Sequence, residues 1–235
     1  MDHSCKPNTN AVFKGRAVEL RALEPSVTFS SARITYLNEI LPTRARNRIL
    51  QDQYYFTCNC EYCLNDYPQL QPKLSCPHCY ELVPLSDIEC GKCESFLPEE
   101  LLDSYRCWRE DAVDLMETQV ENSDLFACYQ TGLDLCKNPD FLMLKLSNLV
   151  FSRALAASDV SLVVKCLSYI LPTEQQYYHK RSLALANTLS ILSKGLFSLG
   201  KSDRARELFK GAESTVRLYY GERSPHHQYL RSFVS

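Results

Sequence analysis

Glycine is scarce in this chain, at 7 of 235 residues, and no Gly-x-Gly pair occurs. That disfavours glycine-rich nucleotide loops and β architectures with many tight turns. No charge of one sign predominates. Lys and Arg total 26 against 28 Asp and Glu, a formal net charge of -2. Such a balance gives no general attraction to nucleic acid or to an acidic membrane, and neither is expected as a partner. No apolar run approaches the roughly 20 residues that span a bilayer. The opening Met1-Asp2-His3-Ser4-Cys5 is polar, without the apolar stretch of a secretory leader. A cytoplasmic or nuclear location is expected, where clustered cysteines serve metals more often than disulfides.

Cysteine is abundant, with 12 in all. Cys5, Cys58-x-Cys60-x-x-Cys63, Cys76-x-x-Cys79 and Cys90-x-x-Cys93 all precede residue 98. Thiolate is a preferred ligand of tetrahedral zinc, and a closed four-sulfur shell is the usual structural site. Cys76, Cys79, Cys90 and Cys93 form two matched knuckles, with Gly91 expected to supply a positive φ. His78 lies between two of these cysteines, either as a substitute ligand or as an exposed loop residue. Cys58, Cys60 and Cys63 supply three sulfurs and need a fourth. Cys5 is the cysteine that remains outside the helical region. Two structural zinc ions are expected, with a disulfide scaffold as the alternative. Cys107, Cys128, Cys136 and Cys166 fall in helical segments, where free cysteine packs as a small hydrophobe. His179, His226 and His227 have no partners at ligand spacing, which leaves them surface or packing roles.

Residues 9–37 read as β. Two runs, Asn10 to Phe13 and Arg16 to Leu23, flank a turn at Lys14-Gly15. Val18, Leu20 and Ala22 alternate with Glu19 and Arg21, which predicts a buried face carrying the first set. Arg33 to Leu37 is a third strand candidate. A short basic helix runs from Thr43 to Gln53, with Thr43 near its cap. Pro98-Glu99-Glu100 opens a helical region, with acids at the positive end of the dipole. Helices are expected near 123–137, 140–157, 159–171, 177–199 and 202–220, with a short one from about 224. Breaks fall at Asn138-Pro139, Ser158-Asp159, Leu171-Pro172 and Leu199-Gly200. The last long pair has small residues at close contacts and a glycine between helices, which is similar to a tetratricopeptide-type pair. The expected fold class is α+β, with β-structure and zinc-bearing loops followed by a tetratricopeptide-like all-α region.

Asp2-His3-Ser4-Cys5-Lys6-Pro7-Asn8 resembles the Asn-His-Ser-Cys-x-Pro-Asn signature of SET-domain lysine methyltransferases. Ile34-Thr35-Tyr36 resembles the strand that ends in their active-site tyrosine, and Tyr54 to Cys63 the post-SET segment. The order and spacing are similar to the SET-and-MYND (SMYD) family. The resemblance implies four segments: 1–53 as the C-terminal part of a SET domain, 54–66 as post-SET zinc segment, 74–97 as four-cysteine zinc knuckles and 98–235 as helical domain. It implies that Cys5 completes the site of Cys58, Cys60 and Cys63. It further implies that Asp2 and His3 hold S-adenosylmethionine through their backbone. Tyr54 and Phe56 would line its adenine or the lysine channel, and Tyr36 would aim its hydroxyl at the methyl-transfer site. Core packing is the plain alternative for these aromatic residues.

The implied function is S-adenosylmethionine-dependent protein-lysine N-methylation, with a lysine-bearing protein or peptide as substrate. The resemblance begins at the signature itself. The early SET strands, cofactor loop and MYND zinc module of the family have no counterpart, so the chain reads as a C-terminal portion, inactive alone. Residues 1–55 are accordingly expected to be poorly ordered or aggregation-prone on their own. Two departures stand inside the match: Asp2 replaces asparagine, and Phe29-Ser30-Ser31 replaces Gly-Glu-Glu. The competing reading is a non-catalytic, zinc-stabilised helical adaptor that binds a peptide on its helical surface.

Overall fold

The computed structural model describes residues 1–37, 40–67, 69–118 and 120–232; the side chains of Lys14, His226, Tyr229 and Leu230 lie outside the described ones. The fold is α+β, with three two-stranded sheets among the described residues and a predominance of helix. Its contacts separate two units, Met1–Gln69 with Val163–Ser235, and Leu70–Leu162.

In the first unit, β1 (Asp2–His3) pairs in parallel with the third strand candidate of the sequence, here shortened to Arg33–Ile34. Between them lies a hairpin of β2 (Thr9–Lys14) and β3 (Ala17–Ala22), Lys14 pairing with Ala17. The turn is therefore Gly15-Arg16, and Gly15 sits at φ 60, as a glycine-led two-residue hairpin requires. We number the Arg33–Ile34 strand β4. The hairpin alternates as the pattern predicts, but the buried side is the opposite one. Val18 is 51% exposed and Phe13, paired with it, 76%. Val12 instead packs with Leu23 and Tyr219, and Asn10 donates to the Tyr219 hydroxyl. Glu19 and Arg21 are half-buried on that same side and paired to each other. Alternation separates two faces; it does not say which one another element will cover.

Helix α1 (Thr43–Tyr54) begins after Pro42 without a side-chain cap and ends at Tyr55, which takes the left-handed conformation at φ 61. Thr43 does not cap; its hydroxyl accepts from Arg46 at 2.9 Å. The four-residue helix α2 (Glu61–Leu64) follows. The rest of the first unit is helical. The sequence breaks a helix at Pro172, yet one helix runs unbroken from Val160 to Tyr177. Pro172 is exposed, so the carbonyl deprived of its N–H faces water, while Ile170, Leu171 and Tyr177 stay buried. Leu183–Ser198 and Ser202–Tyr220 then form an antiparallel pair around Gly200 at φ 76. Ser182 caps the former, and the Ser193 hydroxyl donates to Ala205 O at 2.7 Å across the pair. The short helix Pro225–Arg231 closes the unit. His227 is buried there and its ring bonds Glu222 O, a packing role.

The second unit opens with β5 (Lys73–Ser75) and β6 (Leu82–Pro84), antiparallel. Three helices follow: α3 (Glu99–Glu117), α4 (Asn122–Leu135) and α5 (Phe141–Ala156). Gly132 lets α4 approach closely: a Cβ there would lie 2.6 Å from both Met143 Sδ and the Trp108 ring. Trp108 donates its indole N–H to Cys128 O at 2.9 Å. Asp140 caps α5 by accepting the Met143 N–H at 2.7 Å, and accepts the Tyr105 hydroxyl at 2.8 Å. In chain order the remaining long helices are α6 (Val160–Tyr177), α7 (Leu183–Ser198) and α8 (Ser202–Tyr220), then α9 (Pro225–Arg231). Among the described residues no helix is long and apolar enough to cross a membrane. Of the four helical cysteines, Cys136 and Cys166 are core; Cys128 is half-buried and Cys107 exposed, contrary to expectation, because it lies off the inner face of α3.

Candidate metal centres and the adjoining cleft

Cys5, Cys58, Cys60 and Cys63 converge in the first unit, their sulfurs all within 4.8 Å of one another. Each arrives by a different device. Ser4 donates its N–H to Ile34 O at 2.9 Å, which fixes the exit of β1 toward Cys5. Asn47 on α1 accepts the Cys58 N–H at 3.0 Å. Cys60 precedes α2, and Cys63, within α2, turns back to it through N–H to Cys60 O at 2.9 Å. Cys5 and Cys58 share a small core with Leu37 and Leu50.

The second four-sulfur set, Cys76, Cys79, Cys90 and Cys93, lies in the second unit with the same convergence. Its two knuckles repeat one hydrogen-bond pattern. Tyr80 N bonds Cys76 O at 2.9 Å and Glu94 N bonds Cys90 O at 2.8 Å. Cys76 N bonds Glu81 O and Cys90 N bonds Ser95 O, at 2.8 and 2.9 Å. The left-handed residues are Tyr80 (φ 62) and Glu94 (φ 58), not Gly91. The turn needs positive φ one residue past its second cysteine, and Gly91 lies between the two. His78 is exposed on its loop.

Both sets fit a tetrahedral thiophilic cation. A zinc–sulfur bond of about 2.3 Å implies sulfurs about 3.8 Å apart. The separations are 3.6 Å for Cys5–Cys63, 3.6 Å for Cys76–Cys93 and 3.4 Å for Cys79–Cys90, and every cysteine here is free rather than bridged. Crowded sulfurs titrate together. The Cys5 thiol donates to Cys60, which pulls Cys60 down to about 3 and raises Cys5. Hydrogen bonding by Ser95 lowers Cys93 to about 6.

Arg46 is the residue that sequence reading passed over. Its guanidinium is wholly buried. It donates to Leu41 O, to Thr43 Oγ1, to Tyr62 O at 3.5 Å and to Cys63 Sγ at 3.6 Å. A buried cation beside a four-thiolate set offsets part of its negative charge. In the sequence Arg46 is one basic residue of a basic helix; nothing local marks it as buried.

A cleft of about 680 Å³ adjoins the first set, with Asp2, His3, Arg33, Tyr36, Tyr54 and Phe56 on its walls. The Tyr36 ring lies 4.8 Å from that of Tyr54 and 6.4 Å, edge-on, from that of Phe56. The Tyr36 hydroxyl donates to Met1 O. Arg33 pairs with Asp2 at 3.4 Å. Burial keeps the His3 imidazole below its usual pKa. All five residues named for cofactor and catalysis thus line one cavity. Aromatic faces of this kind suit a planar base and a sulfonium cation, so the wall chemistry fits S-adenosylmethionine.

One short motif fails its structural test. Gly195 to Ser202 has the Gly-x-x-x-x-Gly-Lys-Ser spacing of a phosphate loop. Such a loop follows a strand. Here Gly195 is buried inside α7, and the segment is a helix–helix turn.

No protein-family model matches the chain. It is 40% identical over 63 residues to N-lysine methyltransferase SMYD2-A of Xenopus laevis, and 38% identical over 63 residues to N-lysine methyltransferase SMYD2 of Homo sapiens and of Sus scrofa. The matched stretch is 27% of this chain and spans only 15% of the Xenopus protein and 14% of the human one. This chain therefore carries a 63-residue stretch similar to SMYD2 N-lysine methyltransferases, together with two four-cysteine clusters.

Proposed function

We propose that the chain is part of an S-adenosylmethionine-dependent protein-lysine N-methyltransferase, with zinc in both four-cysteine sets and a lysine-bearing protein or peptide as substrate. The observation that carries this reading is the adjacency of the aromatic cleft to the Cys5 set, within a chain similar to lysine methyltransferases. When bound, S-adenosylmethionine supplies a sulfonium methyl for transfer to the lysine amine. Tyr36, Tyr54 and Phe56 would exclude water from that amine, which lowers its pKa and keeps it neutral. The Tyr36 oxygen would accept weak C–H contacts from a polarised methyl. Most of the acceleration would come from alignment. The first zinc would hold the Cys58–Cys63 loop, and with it Phe56, against β1. The family's early SET strands would complete the site, so this chain alone would bind cofactor weakly and not turn over. Its thiolate sets suit a reducing compartment, cytoplasmic or nuclear.

The test is a titration of the zinc-loaded chain with millimolar S-adenosylhomocysteine, followed by NMR. Shifts confined to His3, Tyr36, Tyr54 and Phe56 are expected. Shifts that leave these four untouched would refute the reading.

A further inference from the structure

The His3 ring stands between two features treated separately above. The Tyr36 backbone N–H donates to His3 Nδ1 at 3.0 Å. A ring nitrogen that accepts carries no proton, so in the neutral imidazole the proton belongs to Nε2. His3 Nε2 lies 3.2 Å from Cys5 Sγ. The contact is thus an N–H···S donation to one sulfur of the first centre. Both bonds pass through one rigid ring, whose centroid is 5.0 Å from that of Tyr36 and 5.8 Å from that of Phe56. The strand register agrees: His3 pairs with Ile34, two residues before Tyr36.

We propose that His3 is a positioning residue that ties the Tyr36 backbone to the first four-sulfur centre. Only the importance of Tyr36 rests on the methyl-transfer reading; the two hydrogen bonds do not. A thiolate that binds a cation still carries lone pairs and negative charge, and a donor aimed at it holds the ligand in place. Arg46 serves Cys63 in this way, and His3 serves Cys5. Donation to Cys5 selects the tautomer that presents a bare Nδ1 to Tyr36. A centre stripped of metal frees the Cys5 sulfur to turn away. The ring then loses its anchor, and the Tyr36 amide loses its acceptor. In this arrangement the centre does more than staple a loop: its occupancy sets where Tyr36 sits.

Three measurements on the full chain decide it. Long-range proton–nitrogen spectra of the zinc-loaded wild type should show His3 protonated at Nε2; a proton on Nδ1 would overturn the proposal. His3→Leu keeps the apolar bulk and removes both hydrogen bonds. It should weaken zinc at the first centre by roughly 10–100-fold in a chelator competition, the usual loss when a ligand's partner is removed. Amide exchange at Tyr36 should quicken in the same variant, and His3→Gln, which restores a donor and an acceptor, should recover much of both effects. The second centre is the internal control and should hold its zinc unchanged. An unchanged zinc affinity and an unchanged Tyr36 amide in His3→Leu would sink the idea. Should that variant not fold, chelation of the wild type gives the answer: Tyr36 exchange must rise, and a protected amide in the metal-free chain refutes the link. None of these readouts uses S-adenosylmethionine, so failure of cofactor binding and failure of this coupling are separate results.

Discussion

The sulfur of Cys5 lies 3.6 Å from that of Cys63, across 58 residues of sequence. Closing so long a segment costs loop entropy that hydrophobic contact alone must otherwise meet. A cation shared by the two residues makes the closure durable. The chain should bind two zinc equivalents, and Cys5→Ser should bind one. Structural zinc is worth roughly 10–16 kcal/mol of apparent free energy, comparable to a typical domain's whole stability of about 5–15 kcal/mol. Amide exchange should therefore show residues 1–63 opened in Cys5→Ser while Cys76 to Cys93 stays protected. Two retained equivalents would contradict the assignment.

Tyr80 and Glu94 carry a backbone conformation that costs a side-chain-bearing residue about 1 kcal/mol or more. Tyr80 is 80% exposed, so its side chain contributes little packing. Tyr80→Gly and Glu94→Gly should each stabilise the second centre by about 0.5–1 kcal/mol, read as slower zinc loss to a chelator. Gly91→Ala should be near neutral, because Gly91 has ordinary φ and open space around it.

Asp140 is 2% exposed and accepts from both Met143 N and the Tyr105 hydroxyl. Burial, with the charge of Asp140 beside it, raises the Tyr105 pKa and keeps this donor protonated. Asp140→Ala removes a helix cap and leaves the buried Tyr105 O–H without its acceptor, a combined loss of about 2–4 kcal/mol. Chemical denaturation should show it as a lower midpoint with little change in slope. Tyr105→Phe should cost less, because the cap survives.

Glu174, on α6, is largely buried; it takes a hydrogen bond from Thr188, and its Oε2 has no partner among the described residues. Burial raises its pKa to about 7. A raised carboxyl pKa means that the folded state holds the proton longer than the unfolded one. Its contribution to stability is thus greatest below about 4.3, the unfolded value, and falls as pH rises toward 7, by on the order of 3 kcal/mol. Glu174→Gln should remove that fall. The difference in stability between variant and wild type should grow in the variant's favour from pH 5 to pH 7.5. A difference that stays flat over this range would rule out the assigned burial effect.

Much of this site was legible because its ligands are close in sequence. Cys-x-x-Cys brings two sulfurs together through one turn, whatever the rest of the chain does. Pro98-Glu99-Glu100 marks the start of α3 for the same local reason. The signature around Cys5 and the run from Tyr54 to Cys63 could be read by resemblance. Arg46 could not, since its burial depends on Leu41, Tyr62 and Cys63 arriving around it. The continuity of α6 through Pro172 was also hidden, because burial on either side of the proline outweighs the local break.

By itself the sequence determined the second set of thiolates, the Cys58–Cys63 run of the first, the helical character of the later residues and the alternation of the hairpin. These are short-range properties, set by turn geometry and residue period. Tertiary structure alone decided which hairpin face is covered, which arginine is buried and which nitrogen of His3 holds a proton. Each of these depends on groups distant along the chain meeting in space, where burial and hydrogen bonding, not local spacing, set the lower energy.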